Sequence, residues 1–258
     1  MATTITILSQ KGGTGKTTTT RTLTDVFRRV GLSVLAVDLD PQGNLSDYFD
    51  IPADADPTVA DVLTGNAKAM DAIHDDVLPA NLGLAEAELV LGGKMGREMT
   101  LRRALREPSK HYDLILIDCP PSLGLLTVNA LVAGDRALIT SEAEYFSLQG
   151  VEQALEVIEL AKDSLNPDLE WLGVVLNIAD MRLTHSREAL KQLQERFGEK
   201  VFEAVIKRSV AYAESAERGV SIVDRRPDLA SDYLDLAAEV LDRLGLPDER
   251  KAVAKLRA

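Results

Sequence analysis

Residues 9–20, SQKGGTGKTTTT, form a glycine-rich turn between a short apolar run and a stretch of helical character. A strand that ends in such a turn and enters a helix directs successive backbone N–H groups, and the positive end of the helix dipole, at one location. Gly12, Gly13 and Gly15 let a ligand approach this backbone closely, because they carry no side chain. The turn therefore predicts an α/β fold with a phosphate-binding loop after its first strand.

The turn departs at one position from the motif G-x-x-x-x-G-K-[ST], because Gln10 replaces the first glycine. The three remaining glycines leave the physical arrangement intact. The motif predicts that Lys16 reaches the β- and γ-phosphates of a nucleotide and that the Thr17 hydroxyl holds Mg²⁺. It does not explain the second lysine, Lys11.

Strand-length apolar runs alternate with helical patterns along the chain. The runs lie at 4–9, 33–40, 112–121, 136–142 and 169–177, and helical periodicity fits 16–30, 122–133, 148–165, 184–197 and 229–245. This alternation predicts a single doubly wound α/β domain over residues 1–258, with a mostly parallel sheet and helices on both faces. Residues 50–95 show weaker patterns and are expected to form a surface excursion.

Aspartates follow two of the apolar runs. Asp38 and Asp40 lie at the end of the second run, and Asp118 lies at the end of the run in LILIDCPPS. In an open parallel sheet the ligand lies beyond the carboxyl ends of the strands. All three carboxylates are therefore expected to face the nucleotide, and an apolar run that ends in Asp is typical of a Mg²⁺ site.

Composition narrows the class of protein. One cysteine among 258 residues excludes an internal disulfide framework and favours a cytoplasmic location. No apolar stretch reaches the length of a membrane span, about 18 residues. The net charge is −12, but residues 181–258 hold 15 Lys and Arg against 14 Asp and Glu, whereas residues 1–180 hold 14 against 27. The C-terminal third can thus present a local basic patch.

Four segments together resemble the ParA/Soj-type chromosome and plasmid partitioning ATPases, a branch of the MinD-like P-loop superfamily with a deviant Walker A loop: KGGTGKTT, DLDPQGN, DLILIDCPPSLG and SEAEYFSLQGV. The resemblance covers most of the chain. It implies an ATP hydrolase of weak intrinsic activity that uses ATP and Mg²⁺ and forms a homodimer on ATP binding. It also implies that Lys11 is a signature lysine that reaches across to the phosphates of the partner subunit.

The resemblance assigns further roles by motif. Asp40 resembles the residue that orients or deprotonates the attacking water, so catalysis is assigned to Lys11, Lys16 and Asp40. The metal ligands are expected to be Thr17, Asp38 and Asp118, and the γ-phosphate-sensing switch to be Pro120, Pro121 and Ser122. Nucleotide binding is assigned to Lys11, Gly12, Gly13, Thr14, Gly15, Lys16, Thr17, Thr18 and Asn177, with Asn177 at the adenine.

Proteins of this type bind double-stranded DNA without sequence preference, associate with the nucleoid, and meet a ParB-type centromere-binding protein that stimulates hydrolysis. The resemblance places the DNA contacts at Arg182 and Arg208, and Lys207 and Arg218 extend the basic stretch. The sequence departs from the family pattern here, because Lys207 replaces a proline and ESAERG replaces EAPS.

The same scaffold supports other functions. A MinD-like cell-division-site ATPase would need an amphipathic membrane-binding tail, and the tail GLPDERKAVAKLRA has few large apolar residues, so no membrane contact is expected. An iron protein would need paired cysteines, and Cys119 stands alone. An amidating enzyme is a further alternative, and a tyrosine autokinase would need a tyrosine-rich tail, which this sequence lacks.

Overall fold

The computed structural model describes residues 1–144 and 147–256. Tyr145 and Phe146, which belong to the SEAEYFSLQGV motif, lie outside this part of the chain. Within it, seven strands form one sheet in the order β3-β2-β4-β1-β5-β6-β7. Every neighbouring pair is parallel. The α/β doubly wound prediction is confirmed.

The strands are β1 Thr3–Leu8, β2 Val34–Asp38, β3 Val77–Leu78, β4 Leu114–Asp118, β5 Arg136–Glu142, β6 Glu170–Ala179 and β7 Val201–Lys207. The helices are α1 Lys16–Arg29, α2 Asn44–Tyr48, α3 Val59–Thr64, α4 Gly83–Gly92, α5 Thr100–Ala104, α6 Leu125–Ala133, α7 Ser147–Ser164, α8 Thr184–Phe197, α9 Ala211–Glu217, α10 Ile222–Arg225, α11 Pro227–Arg243 and α12 Pro247–Lys255.

The strand order places the glycine-rich turn at the centre of the sheet. β1 lies between β4 and β5, so the strands β2, β3 and β4 extend the sheet on one side and β5, β6 and β7 on the other. The order therefore reverses at β1, and such a reversal opens a crevice at the carboxyl ends of the strands. The turn at residues 9–15 follows the carboxyl end of β1 and lies in that crevice.

Alternate residues of the central strands build two cores. In β4, Ile115 and Ile117 pack on one face with side chains from α3, α4, α6 and α7. Leu114 and Leu116 pack on the other face with α1, α11 and α12. All four side chains are buried, because helices cover both faces of the sheet.

Two features of the fold were not anticipated from the sequence. The outer strands β3 and β7 were missed, because β3 has two residues and the exposed positions of β7 interrupt its apolar pattern. The expectation of a surface excursion over residues 50–95 was wrong. Val59 and Leu63 of α3 and Leu84 and Leu91 of α4 are buried in the core on one face of the sheet.

Candidate nucleotide site

The glycine-rich turn has the backbone geometry of a cradle. Gly13 and Gly15 have φ values of 78° and 83°, in the left-handed region that favours glycine. A Cβ on Gly15 would lie 2.8 Å from Nδ2 of Asn177, so the position has no room for a side chain. α1 begins immediately afterwards at Lys16, which places its unpaired N–H groups at the turn.

Lys16 folds back across the turn. Its Nζ donates to Ser9 Oγ at 3.1 Å and to the carbonyl oxygen of Lys11 at 3.2 Å. The Thr14 hydroxyl donates to Ser9 Oγ at 2.8 Å and lies 2.9 Å from the Thr140 hydroxyl. Ser9, which sequence reasoning missed, therefore fixes both the lysine and the shape of the turn.

Two strand-end carboxylates lie side by side, because Asp38 of β2 pairs in register with Asp118 of β4. Asp118 Oδ2 accepts a hydrogen bond of 2.6 Å from the Thr17 hydroxyl. Burial, followed by repulsion from Asp38, raises the pKa of Asp118 to about 8. Burial also raises the pKa of Asp38 to about 6, although the backbone and side chain of Ser46 both donate to its carboxylate.

The donor set at Thr17 and Asp118 fits a hard cation. Both Asp118 and Asp38 are fully buried, so their negative charge is poorly compensated by solvent. A hydroxyl beside carboxylates is oxygen chemistry that suits Mg²⁺, with phosphate oxygens completing the shell. Within residues 1–144 and 147–256 no cluster of three or more His, Cys, Asp or Glu could hold a metal by itself.

We expect Asp118→Asn to raise the melting temperature of the ligand-free protein near neutral pH, because the raised pKa of Asp118 means that the wild-type carboxyl must take up a proton on folding or stay charged without compensation, and the neutral amide avoids both costs. The same variant should lose most of the stabilisation that MgATP gives, since the neutral amide attracts Mg²⁺ weakly. Differential scanning fluorimetry with and without MgATP measures both effects. Asp113→Asn, just before the opposite end of β4, is the control. An unchanged MgATP shift in Asp118→Asn would exclude the metal role.

Asp40 lies on the wall of a large cavity at the carboxyl edge of the sheet. Its Oδ1 accepts the backbone N–H of Gln42 at 3.0 Å, and its own N–H donates to Asp38 Oδ1 at 3.1 Å. The cavity measures about 900 Å³, and Gly12, Gly13, Gly15, Lys16, Thr17 and Thr18 also line it. That volume suits a nucleotide, and Asp40 is placed to act on a group bound at the loop.

Asn177 lies beneath the loop. Its Nδ2 donates to the carbonyl oxygen of Thr14 at 2.9 Å and to the Thr19 hydroxyl at 3.1 Å. Its Oδ1 is buried and makes no hydrogen bond within the described part of the chain. Asn177 thus supports the loop through its nitrogen, and its oxygen is the atom left to accept from a ligand.

One wall of the cavity carries aromatic and apolar side chains beside Lys207 and Arg208. Tyr212 and Tyr233 line it, and their rings meet edge to face at a centroid distance of 5.7 Å. Ile178 and Ile206 lie on the same wall. These residues were not assigned from sequence, because the elements that carry them, β6, β7, α9 and α11, meet only in the folded chain.

Of the three residues predicted to form the switch, Pro121 lies at the cavity. Pro121 lines the cavity, and a Cβ on Gly12 would meet its Cβ at 3.6 Å. Pro120 is buried and Ser122 is exposed. The carbonyl oxygen of Ser122 accepts the Thr127 hydroxyl at 2.6 Å, which ties the segment to α6.

Lys11 lies outside the cavity wall, in a neighbouring depression with Glu142 and Glu144. Its Nζ is 3.9 Å from Glu144 Oε2, and 46% of its side chain is exposed. A phosphate held by the loop of the same chain would have Lys16 beside it, whereas Lys11 faces outward.

The residues assigned to DNA binding do not form an uncompensated basic patch. Arg182 pairs with Asp180 at 2.7 Å, Lys207 with Asp232 at 2.7 Å, and Arg208 with Glu142 at 3.1 Å. Arg218, at the end of α9, is exposed and makes no ion pair within the described residues. To bind DNA, three of these four cations would therefore have to leave a carboxylate of their own chain and pair with an external anion.

Two further residues missed from the sequence hold α2 in place. The Ser46 hydroxyl donates to Asp38 at 2.8 Å and accepts from the backbone N–H of Ala80 at 2.9 Å. The guanidinium carbon of Arg21 lies 3.8 Å from the centroid of the Phe49 ring, which joins α1 to the residue after α2. Ser46 follows the DLDPQGN motif by two positions, so the motif itself does not identify it.

Comparison with known protein families agrees with this geometry. A family model described as an AAA domain matches residues 2–171. The chain is 42% identical over 245 residues to the sporulation initiation inhibitor protein Soj of Bacillus subtilis, which covers 92% of this chain and 97% of that protein. It is 40% identical over 248 residues to the chromosome partitioning protein ParA of Caulobacter vibrioides, with 92% and 93% covered. The chain belongs to the ParA/MinD-type P-loop ATPases.

Solved structures support the same assignment for this ParA/MinD-type ATPase. The cobyrinic acid a,c-diamide synthase of Mycobacterium smegmatis, with a bound ATP analogue and magnesium, superposes with a TM-score of 0.77 at 34% identity and covers 90% of this chain and 97% of that one. The septum site-determining protein MinD of Pyrococcus horikoshii, complexed with Mg-ADP, gives 0.78 at 29% identity, with 96% and 99% covered. The protein is therefore an ATP hydrolase of this family. In the described part of the chain, none of the helices combines the length and apolar character that a membrane crossing requires.

Proposed function

We propose that this ParA/MinD-type ATPase partitions a chromosome or plasmid, using ATP binding to form a DNA-binding homodimer. The observation that carries the proposal is the position of Lys11, which adjoins the loop but lies outside the cavity wall of its own chain. A cation in that position suits the phosphates of a second subunit. The relatives named Soj and ParA, each matched over more than 90% of this chain, support partitioning as the process.

In the proposed complex the backbone N–H groups of the loop and the Lys16 ammonium bind the phosphates of ATP. Thr17, Asp118 and Asp38 would hold Mg²⁺, which would neutralise phosphate charge when bound. Asp40 orients the attacking water, and Asn177 Oδ1 accepts from the adenine amino group. Lys11 of the partner subunit adds the positive charge that the transferred phosphoryl group requires. Intrinsic hydrolysis is weak because that cation is missing from the monomer.

The same dimer would bind double-stranded DNA through phosphate contacts from Arg182, Lys207, Arg208 and Arg218. Such binding is independent of sequence and falls steeply with salt. It would place the protein in the cytoplasm on the nucleoid. A ParB-type centromere-binding protein would stimulate hydrolysis and release the dimer.

The proposal is tested by DNA co-sedimentation with and without ATP. We expect the wild type to bind only with ATP, and both Lys16→Ala and Arg208→Glu to lose binding. Lys16→Ala removes the phosphate contact, whereas Arg208→Glu reverses one DNA contact. Arg196→Glu is the matched control for the charge change, because Arg196 is similarly exposed and pairs with Glu152 at 3.0 Å. Equal DNA binding by the wild type with and without ATP would overturn the proposal.

A MinD-like cell-division-site ATPase is the alternative, supported by the MinD neighbour. The structure gives an observation against a membrane role for α12, because its Val253 is buried in the core. ATP-dependent binding to anionic liposomes instead of DNA would favour this alternative. An amidating enzyme that draws ammonia from glutamine through a cysteine is disfavoured, since Cys119 is fully buried and burial raises its pKa far above the usual range.

A further inference from the structure

The ion pair between Glu142 and Arg208 joins two strand ends across a third. Glu142 ends β5 and pairs in register with Asn177 of β6. Arg208 directly follows β7, and its backbone N–H donates to the carbonyl oxygen of Ala179 at 3.1 Å. Its Nη2 then donates to Glu142 Oε1 at 3.1 Å. The arginine side chain thus lies across the end of β6, toward the nucleotide cavity that it lines.

The two side chains of this ion pair differ in how freely they can move. The side chain of Glu142 is 21% exposed, whereas that of Arg208 is 63% exposed. The backbone at Glu142 is also fixed, because its carbonyl oxygen accepts the Ser147 hydroxyl at 2.6 Å. The carboxylate is therefore the stationary partner, and the arginine can turn outward to another anion.

Arg208 is the main positive charge that compensates the Glu142 carboxylate. Partial burial and then the negative charge of Glu144 raise the pKa of Glu142, while Arg208 and then Lys11 oppose this shift. Glu144 in turn lies 3.9 Å from Lys11 Nζ. One short acidic segment, residues 142–144, therefore places a carboxylate beside Arg208 and another beside Lys11, two of the cations that the proposed function assigns to external phosphates.

We propose that Glu142 is an internal competitor for DNA, which holds Arg208 as a DNA phosphate would and weakens DNA binding until that contact is exchanged. The inference rests on the proposed function, because it takes Arg208 as a DNA contact. An Arg–Glu pair whose arginine is mostly exposed is weak enough for such an exchange to be reversible. The nearness of Lys11 means that a partner subunit drawing Lys11 away would alter the charge around Glu142 at the same moment.

The test compares Glu142→Gln with the wild type in DNA binding at fixed low salt, with and without ATP. We expect the affinity of Glu142→Gln for DNA to rise about two- to fivefold, the range that an exposed ion pair accounts for. The gain should vanish when Arg208→Ala is added to Glu142→Gln. Glu152→Gln is the matched control, since it releases Arg196 from a similar pair and removes the same charge.

Three results would overturn the inference: no gain in Glu142→Gln, an equal gain in Glu152→Gln, or a gain that persists without Arg208. Either of the last two results would show that the gain in DNA affinity comes from the change in net charge alone. Circular dichroism of each variant confirms that it is folded. Failure of the wild type to bind DNA with ATP would overturn the proposed function and this inference together, whereas wild-type binding that Glu142→Gln does not strengthen overturns the inference alone.

Discussion

Asp40→Ala is expected to slow ATP hydrolysis by about 10²–10⁴-fold, the range typical of a lost general base. Asp40 lies on the cavity wall, and among the residues that the structure describes its carboxylate accepts one hydrogen bond, from the backbone N–H of Gln42. Its loss therefore leaves the phosphate loop intact, so ATP binding and the ATP-dependent dimer should remain. Phosphate release measures the first effect, and light scattering with ATP measures the second.

The control for Asp40→Ala is Asp54→Ala, which removes an exposed carboxylate of the loop that follows α2. Hydrolysis by this variant should equal that of the wild type. A monomeric Asp40→Ala protein in saturating ATP would contradict the expectation, and so would wild-type turnover. The first result would show that Asp40 supports assembly, and the second that another group activates the water.

Gly15→Ala is expected to abolish measurable ATP binding and to lower the melting temperature. Two costs combine at this position. A φ of 83° costs an alanine about 1–3 kcal/mol, the usual cost of such backbone strain. The new Cβ would also lie 2.8 Å from Asn177 Nδ2, and that amide supports the loop through the carbonyl oxygen of Thr14. Relief of the clash would therefore displace the cradle itself.

Gly31→Ala separates these two costs. Gly31 has a φ of 96°, so it shares the backbone strain, but a Cβ there would meet nothing within 4 Å. This variant should lose some stability and keep its affinity for ATP. Isothermal titration with ATP, together with thermal melts, compares the two variants. Full ATP affinity in Gly15→Ala would show that the loop tolerates the displacement, against the expectation.

Much of the chemistry was predictable because it resides in short stretches of sequence. The glycine turn, Lys16 and Thr17 lie within nine residues and are found where the pattern placed them, at the end of β1 and the start of α1. The strand-end position of Asp38 and Asp118 was likewise predictable, since an apolar run and its terminal residue are adjacent in the chain. Their roles toward ATP and Mg²⁺ remain predictions.

The basic residues show where sequence reasoning stopped. Arg208 could be named from its motif position, but its ion pair could not. Arg208 meets Glu142, 66 positions earlier in the chain, and Asn177 meets Thr14 across 163 positions. Such contacts follow from strand order and register, to which a local window of sequence gives no access.

The amino-acid sequence by itself determined the glycine-rich turn and the buried central strands, because backbone freedom at glycine and burial of apolar runs act over a few neighbouring residues. Only the tertiary structure decided which side chains neutralise one another. The strand order β5-β6-β7 brings Glu142 to Arg208, and the pairing of β2 with β4 sets Asp38 beside Asp118. Charges interact over a few ångströms of space whatever their separation in the chain, so their partners are fixed only when the sheet is assembled.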